Sequence, residues 1–178
     1  INTASAQNLV NQTQDFIESD TFKTFRRSQL TLSNSSDKQT IARYIENIGL
    51  IIKENKKNGF SNEITIMQDS VASGNLKKIE DLEKIASFYE AMSYAFMKLE
   101  VPAYFASSHL DMANSLKGLS AGLRRIKSIK EDPIASLDGI RVYQENAVVF
   151  IKGIANIVEY AKNNNIVYEQ GTGGYYLI

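Results

Sequence analysis

The sequence has no cysteine among its 178 residues. This absence excludes disulfide bridges, zinc–thiolate sites, iron–sulfur clusters and cysteine nucleophiles. It leaves the cellular compartment open, because exported bacterial proteins without cysteine are common. Tryptophan is absent as well. Two-carboxylate glycosidase sites usually include aromatic platforms on strand ends and loops, so we do not expect that chemistry here.

An excess of charge of either sign is also missing. The 20 basic residues balance the 20 acidic residues. Proteins that bind nucleic acid normally carry a basic excess or a basic stripe, so we expect no nucleic-acid partner. The most apolar run, residues 147–158, is shorter than the roughly 18 residues that a membrane span needs, and it contains Lys152. We therefore expect no membrane span in this sequence.

A single histidine, His109, limits the enzymatic chemistry. Zinc proteases need two histidines in His-Glu-x-x-His, and di-iron bundles need Glu-x-x-His, whereas Ala106 stands three residues before His109. There is no nucleophile-elbow motif for a serine triad. His109 instead belongs to a row spaced by three and four residues, which predicts a hydrogen-bonded packing position and no metal site. The row contains Phe105, His109, Met112, Leu116, Leu119, Leu123 and Ile126.

Apolar residues recur every three or four positions along most of the chain, which predicts helices. The turns between the last three long helices are very short, so these helices should be antiparallel neighbours. The predicted fold is all-α, an antiparallel bundle of about five to six helices with a non-helical, aromatic C-terminal tail. The expected helices cover residues 5–18, 36–59, 62–73, 76–99, 102–129 and 132–162.

We expect one helical domain over residues 1–178. Residues 1–35 form an N-terminal helix and an irregular segment, residues 36–163 form the helical core, and residues 164–178 form an extended tail. Three glycines favour a flexible tail, and its apolar residues favour packing. The sequence leaves open whether the tail packs as a strap, pairs as a short strand or hangs loose.

Several residues mark the ends of the predicted helices. Ser36 and Gln39 match a capping box, and Gly59 is typical of a C-cap. Pro102 breaks the helical pattern, so we expect the next helix to begin close to it. Asp132 followed by Pro133 predicts a capped start for the last long helix.

The last long helix has apolar residues on two faces, which predicts neighbours on both sides and a place at the centre of the bundle. The second of these faces contains Val148, Ile151, Ala155 and Val158.

Four glycines inside the last two long helices favour close approach of the two backbones, since each costs roughly 0.5–1 kcal/mol relative to alanine. The alternative is a small cavity between these helices. Its ligand-binding residues would be His109, Gly118 and Tyr143. The four glycines are Gly118, Gly122, Gly139 and Gly153.

Two segments are candidates for contact with a partner. The tail ends in aromatic and aliphatic residues that can dock in trans, and the irregular segment near residue 25 carries adjacent arginines. The predicted partner-binding residues are Phe22, Arg26, Arg27, Tyr168, Tyr175, Tyr176 and Ile178.

The second half of the sequence contains "LEVPAYFASSHLDMANSL", then "KEDPIASLDGIRVYQE", then "NNNIVYEQGTGG". In this order it resembles uncharacterised helical proteins encoded by small-genome candidate-phyla bacteria, over about residues 99–174. The resemblance implies a helical fold that an N-terminal signal or membrane anchor often precedes, and it implies no activity. The first residue is Ile1, and residues 1–14 are polar and rich in small side chains, as mature exported N-termini often are. Both features favour an extracytoplasmic location, with an anchor removed or encoded upstream.

Together these features predict a non-enzymatic helical module of the cell envelope or extracellular space, which binds another protein or associates with itself. The alternative is a bundle that senses a small molecule in a cavity between its last two long helices. An enzyme with a site that the motifs do not reveal is a third hypothesis. We expect no cofactor.

Overall fold

The computed structural model describes residues 24–57, 63, 65–66 and 79–178. The predicted helix over 5–18, most of the one over 62–73, and the predicted cap at Gly59 lie outside these residues. The described chain is mostly helical, as predicted. Its elements are β1 (Thr31–Ser33), α1 (Lys38–Lys57), α2 (Asp81–Met97), β2 (Glu100–Pro102), α3 (Ala106–Lys127), α4 (Pro133–Asn163) and α5 (Gly173–Leu177).

The prediction of a purely helical fold is corrected by a small two-stranded parallel sheet. β1 pairs with β2 in a register that places Thr31 opposite Glu100 and Leu32 opposite Val101. Both strands lie where helical periodicity stops, on either side of the first two helices. A pairing of three residues per strand leaves no repeated pattern in a sequence, which is why it was missed.

The helix starts follow local side-chain chemistry. Asp132 accepts hydrogen bonds from the N–H groups of Ile134 and Ala135, with Pro133 in the first turn, which confirms the predicted start of α4. At α1 the prediction is wrong by one residue. Asp37, not Ser36, accepts the hydrogen bond from the N–H of Thr40, at 2.8 Å.

Pro102 ends the helical pattern, as predicted, but α3 does not begin there. Pro102 is the last residue of β2, and a 3-10 turn over Ala103–Phe105 leads into α3 at Ala106. The extended backbone of Pro102 (φ −58°, ψ 136°) suits a strand end. Because Pro102 pairs in β2, α3 begins about one helical turn after the predicted residue.

The core lies around α3, which packs against α2 on one side and α4 on the other. The row of apolar residues predicted from the spacing at His109 is buried along the whole of α3. The prediction that the last long helix occupies the centre is therefore wrong. α4 buries one face, and its second apolar face, including Val148 and Ile151, is exposed.

Close packing joins α3 and α4 at the four predicted glycines, and at Gly122 and Gly139 backbone meets backbone. A Cβ added at Gly122 would lie 2.9 Å from the carbonyl oxygen of Gly139, and one at Gly139 would lie 2.8 Å from the carbonyl oxygen of Gly122. Gly118 faces the side chain of Asn146, and Gly153 faces that of Met112. A side chain at Gly122 or Gly139 would therefore push the two backbones apart, whereas one at Gly118 or Gly153 would displace the facing side chain.

The tail is docked along α1, and the prediction of a wholly non-helical tail is wrong for Gly173–Leu177. Both carboxylate oxygens of Glu46 accept hydrogen bonds, one from the N–H of Gly173 and the other from that of Gly174, each at 2.7 Å. Thr172 caps the same short helix. A negative carboxylate thus satisfies the free N–H groups at the positive end of α5.

Candidate interaction surface

His109 is fully buried, where α1, α2 and α3 meet. Its ring stacks on Phe96 at a centroid separation of 5.7 Å and an interplanar angle of 19°. Nδ1 lies 3.0 Å from the hydroxyl of Tyr44, and Nε2 lies 3.1 Å from the carbonyl oxygen of Phe96. The imidazole therefore bridges two helices with both of its nitrogens engaged, in the packing position that its spacing predicts.

The partners of His109 determine its tautomer. The carbonyl oxygen of Phe96 can only accept, so Nε2 carries the proton and donates it. Nδ1 then accepts from the hydroxyl of Tyr44. Burial lowers the pKa of His109 from 6.5 to about 4, so the ring is neutral at pH 7. Burial also raises the pKa of Tyr44, which keeps its hydroxyl protonated as a donor.

The three predicted ligand-binding residues are not brought together. His109 lies between Tyr44 and Phe96, while Gly118 is packed against Asn146. Tyr143 lies elsewhere, with its hydroxyl 2.5 Å from Glu63 Oε1. Asn146 fills the space beside Gly118 in the α3–α4 contact region, where the sequence-based hypothesis placed a cavity.

Tyr143 belongs to a cluster of two tyrosines around one carboxylate, which the sequence does not predict. Glu63 Oε1 accepts hydrogen bonds from the hydroxyls of Tyr143 and Tyr89, the second at 2.7 Å. Burial is the main cause that raises the pKa of both tyrosines, and the nearby carboxylate adds to it. Glu63 lies 26 residues from Tyr89 and 80 from Tyr143. No local sequence pattern joins them.

A mostly apolar groove of about 280 Å³ lies beside this cluster. Tyr89 and Tyr143 contribute to its wall, so the predicted residue Tyr143 does line a concave surface, though not one with His109 or Gly118. The groove is bounded by residues of all five helices. Its other walls include Ile52, Met92, Leu119, Phe150, Ile151 and Tyr176.

The predicted contact residues of the tail fall into two groups. Tyr168 is half-buried, donates a hydrogen bond to the carbonyl oxygen of Ala42 and packs on Gly174, so it holds the tail in place. Tyr175, Tyr176 and Ile178 are exposed.

The predicted contacts of the irregular segment lie partly within the described chain. Arg26 and Arg27 are exposed at a 3-10 turn, and Phe22 lies outside the described residues. Next to them, Phe25 is anchored through two backbone hydrogen bonds to the side chain of Asn114 in α3. This anchor fixes the segment that carries the two arginines against α3.

A row of exposed apolar residues runs along α4. Ile134 is 77% exposed, Leu137 69%, Val148 51% and Ile151 65%. Together with intervening residues they form a continuous row, here called the outer seam, on the side of α4 opposite the glycines that meet α3. The outer seam consists of Ile134, Leu137, Arg141, Gln144, Val148, Ile151, Ala155 and Val158.

Charged side chains border the middle of the outer seam. Arg141 bonds to Asp138 at 2.6 Å and to Glu145 at 2.9 Å within α4. Asp138 also accepts a hydrogen bond from Arg125 of α3, at 2.9 Å. The seam thus has apolar ends and a polar middle in which acidic and basic groups alternate.

The described residues contain no group of three or more His, Asp or Glu side chains placed to hold a metal ion. None of the helices in the described ranges has the length and apolar character that a bilayer crossing requires. No protein-family model, curated protein or solved structure matches the chain.

Proposed function

We propose that this chain is a non-enzymatic helical module of the cell envelope or extracellular space that binds a protein, either another protein or itself, through the outer seam. The observation that carries the proposal is the exposure of four large aliphatic side chains on one face of α4. Exposed apolar patches bordered by polar residues are characteristic of protein-interaction sites.

The exposed tail extends this surface. Tyr176 of α5 and Ile151 of the outer seam line the same groove, so the end of the tail lies beside the seam. Exposed aromatic residues are enriched at the centres of protein interfaces. The predicted contribution of Tyr175, Tyr176 and Ile178 therefore belongs to the same surface. We propose Arg26 and Arg27 as a second, separate partner-binding site.

We propose an antiparallel arrangement for the bundle that presents this surface. Its support is the order of contacts between α3 and α4, in which Met112 meets Gly153, Gly118 meets Asn146 and Gly122 meets Tyr143. Residue numbers rise along one helix as they fall along the other.

Site-specific photocrosslinking in cells that make the protein tests the proposed function. A p-benzoylphenylalanine at position 151 should form a covalent adduct with an identified protein, and the same group at Val167 should not. Val167 is the matched control because it is 88% exposed and lies outside the seam. Leu137→Glu should lower the adduct yield at 151. Equal adducts at both positions, or none at 151, would contradict the proposal.

The proposed location rests on the polar, small-residue composition of residues 1–14. Protease added to intact cells or spheroplasts that make the full gene product should degrade the module. Degradation only after lysis would place it in the cytoplasm and overturn this part of the proposal.

Small-molecule sensing is a second candidate, because the groove of about 280 Å³ beside Tyr143 approaches the size of small-ligand sites. The probe 8-anilinonaphthalene-1-sulfonate should gain fluorescence with the folded protein. Ala147→Phe, which adds a ring to the groove wall, should abolish that gain. Equal fluorescence in both proteins would remove this candidate.

A further inference from the structure

We infer that the partner of the outer seam is a second copy of this chain, bound antiparallel through α4. This inference rests on the proposed function and names the partner for it. It is carried by the spacing of the seam residues, by their symmetric order and by the charges that border them.

The outer seam has the spacing of a coiled-coil interface. Its eight residues follow one another by three, four, three, four, three, four and three positions from Ile134 to Val158. A row of this kind faces a partner helix continuously over several turns. Gly139 and Gly153, which approach α3, lie on the other side of α4. A second helix can therefore lie along the seam without displacing α3.

The order of residue types is symmetric about the point between Arg141 and Gln144, over the six seam residues from Ile134 to Ile151. From the N-terminal end, Ile134 and Leu137 are followed by the polar pair Arg141 and Gln144, and then by Val148 and Ile151. An antiparallel copy places Leu137 opposite Val148 of the second copy, and Arg141 opposite Gln144 of the second copy. A parallel copy would place two Arg141 side chains together, which like-charge repulsion disfavours.

The charges bordering the seam also favour the antiparallel pair. In this register Arg141 lies within about one residue of the level of Glu145 of the second copy, roughly 1.5 Å along the axis. Each copy brings the acidic Asp138 and Glu145 together with the basic Arg125 and Arg141, which already bond to one another. The middle of the interface is therefore balanced in charge. A polar pair at the centre of an apolar seam specifies register in coiled coils.

The extent of the seam sets the strength that we expect. In this register residues 134–151 of the two copies overlap, which is roughly 27 Å of helix, so the pair buries an area at or below the lower end of the roughly 1,200–2,000 Å² found in specific interfaces. Such an interface supports a reversible dimer with a Kd on the order of micromolar.

Sedimentation velocity over a concentration series tests the self-association. The wild-type chain should shift from monomer to dimer across the micromolar range. Ile151→Glu should raise the dimer Kd at least tenfold, because a dimer buries two such carboxylates. Val167→Glu, the matched exposed control, should leave the Kd within twofold. Circular dichroism checks that both variants fold, which their exposed positions allow.

Single cysteines test the orientation, and the chain has no native cysteine to interfere. In the antiparallel pair, position 134 of one copy lies near position 151 of the other, whereas the two 134 positions are roughly 25 Å apart. An oxidised mixture of Ile134→Cys and Ile151→Cys should form mixed disulfide dimers, and each variant alone should form few. Efficient crosslinking of each variant with itself would overturn the antiparallel arrangement.

These results separate this inference from the proposed function. In one outcome, the wild-type chain stays monomeric at 100 µM while position 151 still crosslinks to a different identified protein. That result would overturn the inference of a second copy, but it would support the proposed interaction function. A monomeric chain that forms no adduct at position 151 overturns both.

Discussion

Acidification below pH 6.5 should destabilise this protein through His109, because the folded state resists protonation of the ring. Folding lowers the pKa of His109 from 6.5 to about 4. Between these two values the unfolded chain binds a proton that the folded chain does not, so stability falls as the pH falls through this window. Above pH 6.5 the ring is neutral in both states and its contribution is constant.

The size of the effect follows from the two pKa values. The difference between 6.5 and about 4, at about 1.4 kcal/mol per pH unit, gives a loss of about 3 kcal/mol at pH 4. That is a large fraction of the roughly 5–15 kcal/mol by which a domain is stable. The structural cause is specific, since a proton on Nδ1 removes the acceptor for the Tyr44 hydroxyl in a site closed to water.

Urea unfolding of the wild type and His109→Gln, followed by circular dichroism at pH 7, 6, 5 and 4, measures this loss. Glutamine can donate to Phe96 and accept from Tyr44, but it does not ionise. We expect the variant to be less stable at pH 7, by about 1–2 kcal/mol, because it loses the stacked ring. The difference should shrink or reverse by pH 4.

Carboxylates titrate in both proteins, so the comparison isolates the histidine. Two parallel curves of stability against pH would refute the argument, because they would mean that the ring is protonated equally easily in the folded and unfolded states.

Three further variants test the packing. Ser120→Ala should raise the free energy of unfolding by about 1 kcal/mol, because the buried hydroxyl of Ser120 has no hydrogen-bond partner among the described residues. Lower stability would reveal a partner. Gly122→Ala should lower the free energy of unfolding, measured in urea, by about 1–3 kcal/mol, since the new Cβ would lie 2.8 Å from the backbone nitrogen of Tyr143. Wild-type stability would mean that the helices can move apart without cost. Glu46→Ala should speed amide hydrogen exchange at residues 173–174 by roughly 10–100-fold, through loss of two charge-assisted hydrogen bonds; unchanged exchange would show that other contacts hold the tail.

Local patterns predicted what depends on neighbours in sequence. The spacing around His109 placed it in the packing of α3, and Asp132 with Pro133 marked the start of α4. Such signals act over one or two turns of helix, where a residue and its partners are a few positions apart. The glycines predicted close helix contact for a similar reason, because a missing side chain in a helix interior is costly unless the space is used.

Partners distant in sequence could not be predicted in this way. The hydroxyls of Tyr89 and Tyr143 meet Glu63, and the N–H groups of the tail meet Glu46, which lies more than 120 residues earlier. No regular spacing in the sequence relates these residues to one another. The same holds for β1 and β2, whose pairing joins residues near 32 and 101.

By itself, the sequence determined which residues share a helix face, where α4 begins, and that His109 and the glycines belong to packed positions. Only the tertiary structure decided what covers each face. Two apolar faces on α4 have the same periodicity, but α3 covers one of them, and the other, from Ile134 to Ile151, is exposed in the described part of the chain. Periodicity describes a helix relative to its own axis, whereas burial depends on which neighbour the rest of the chain brings to each side.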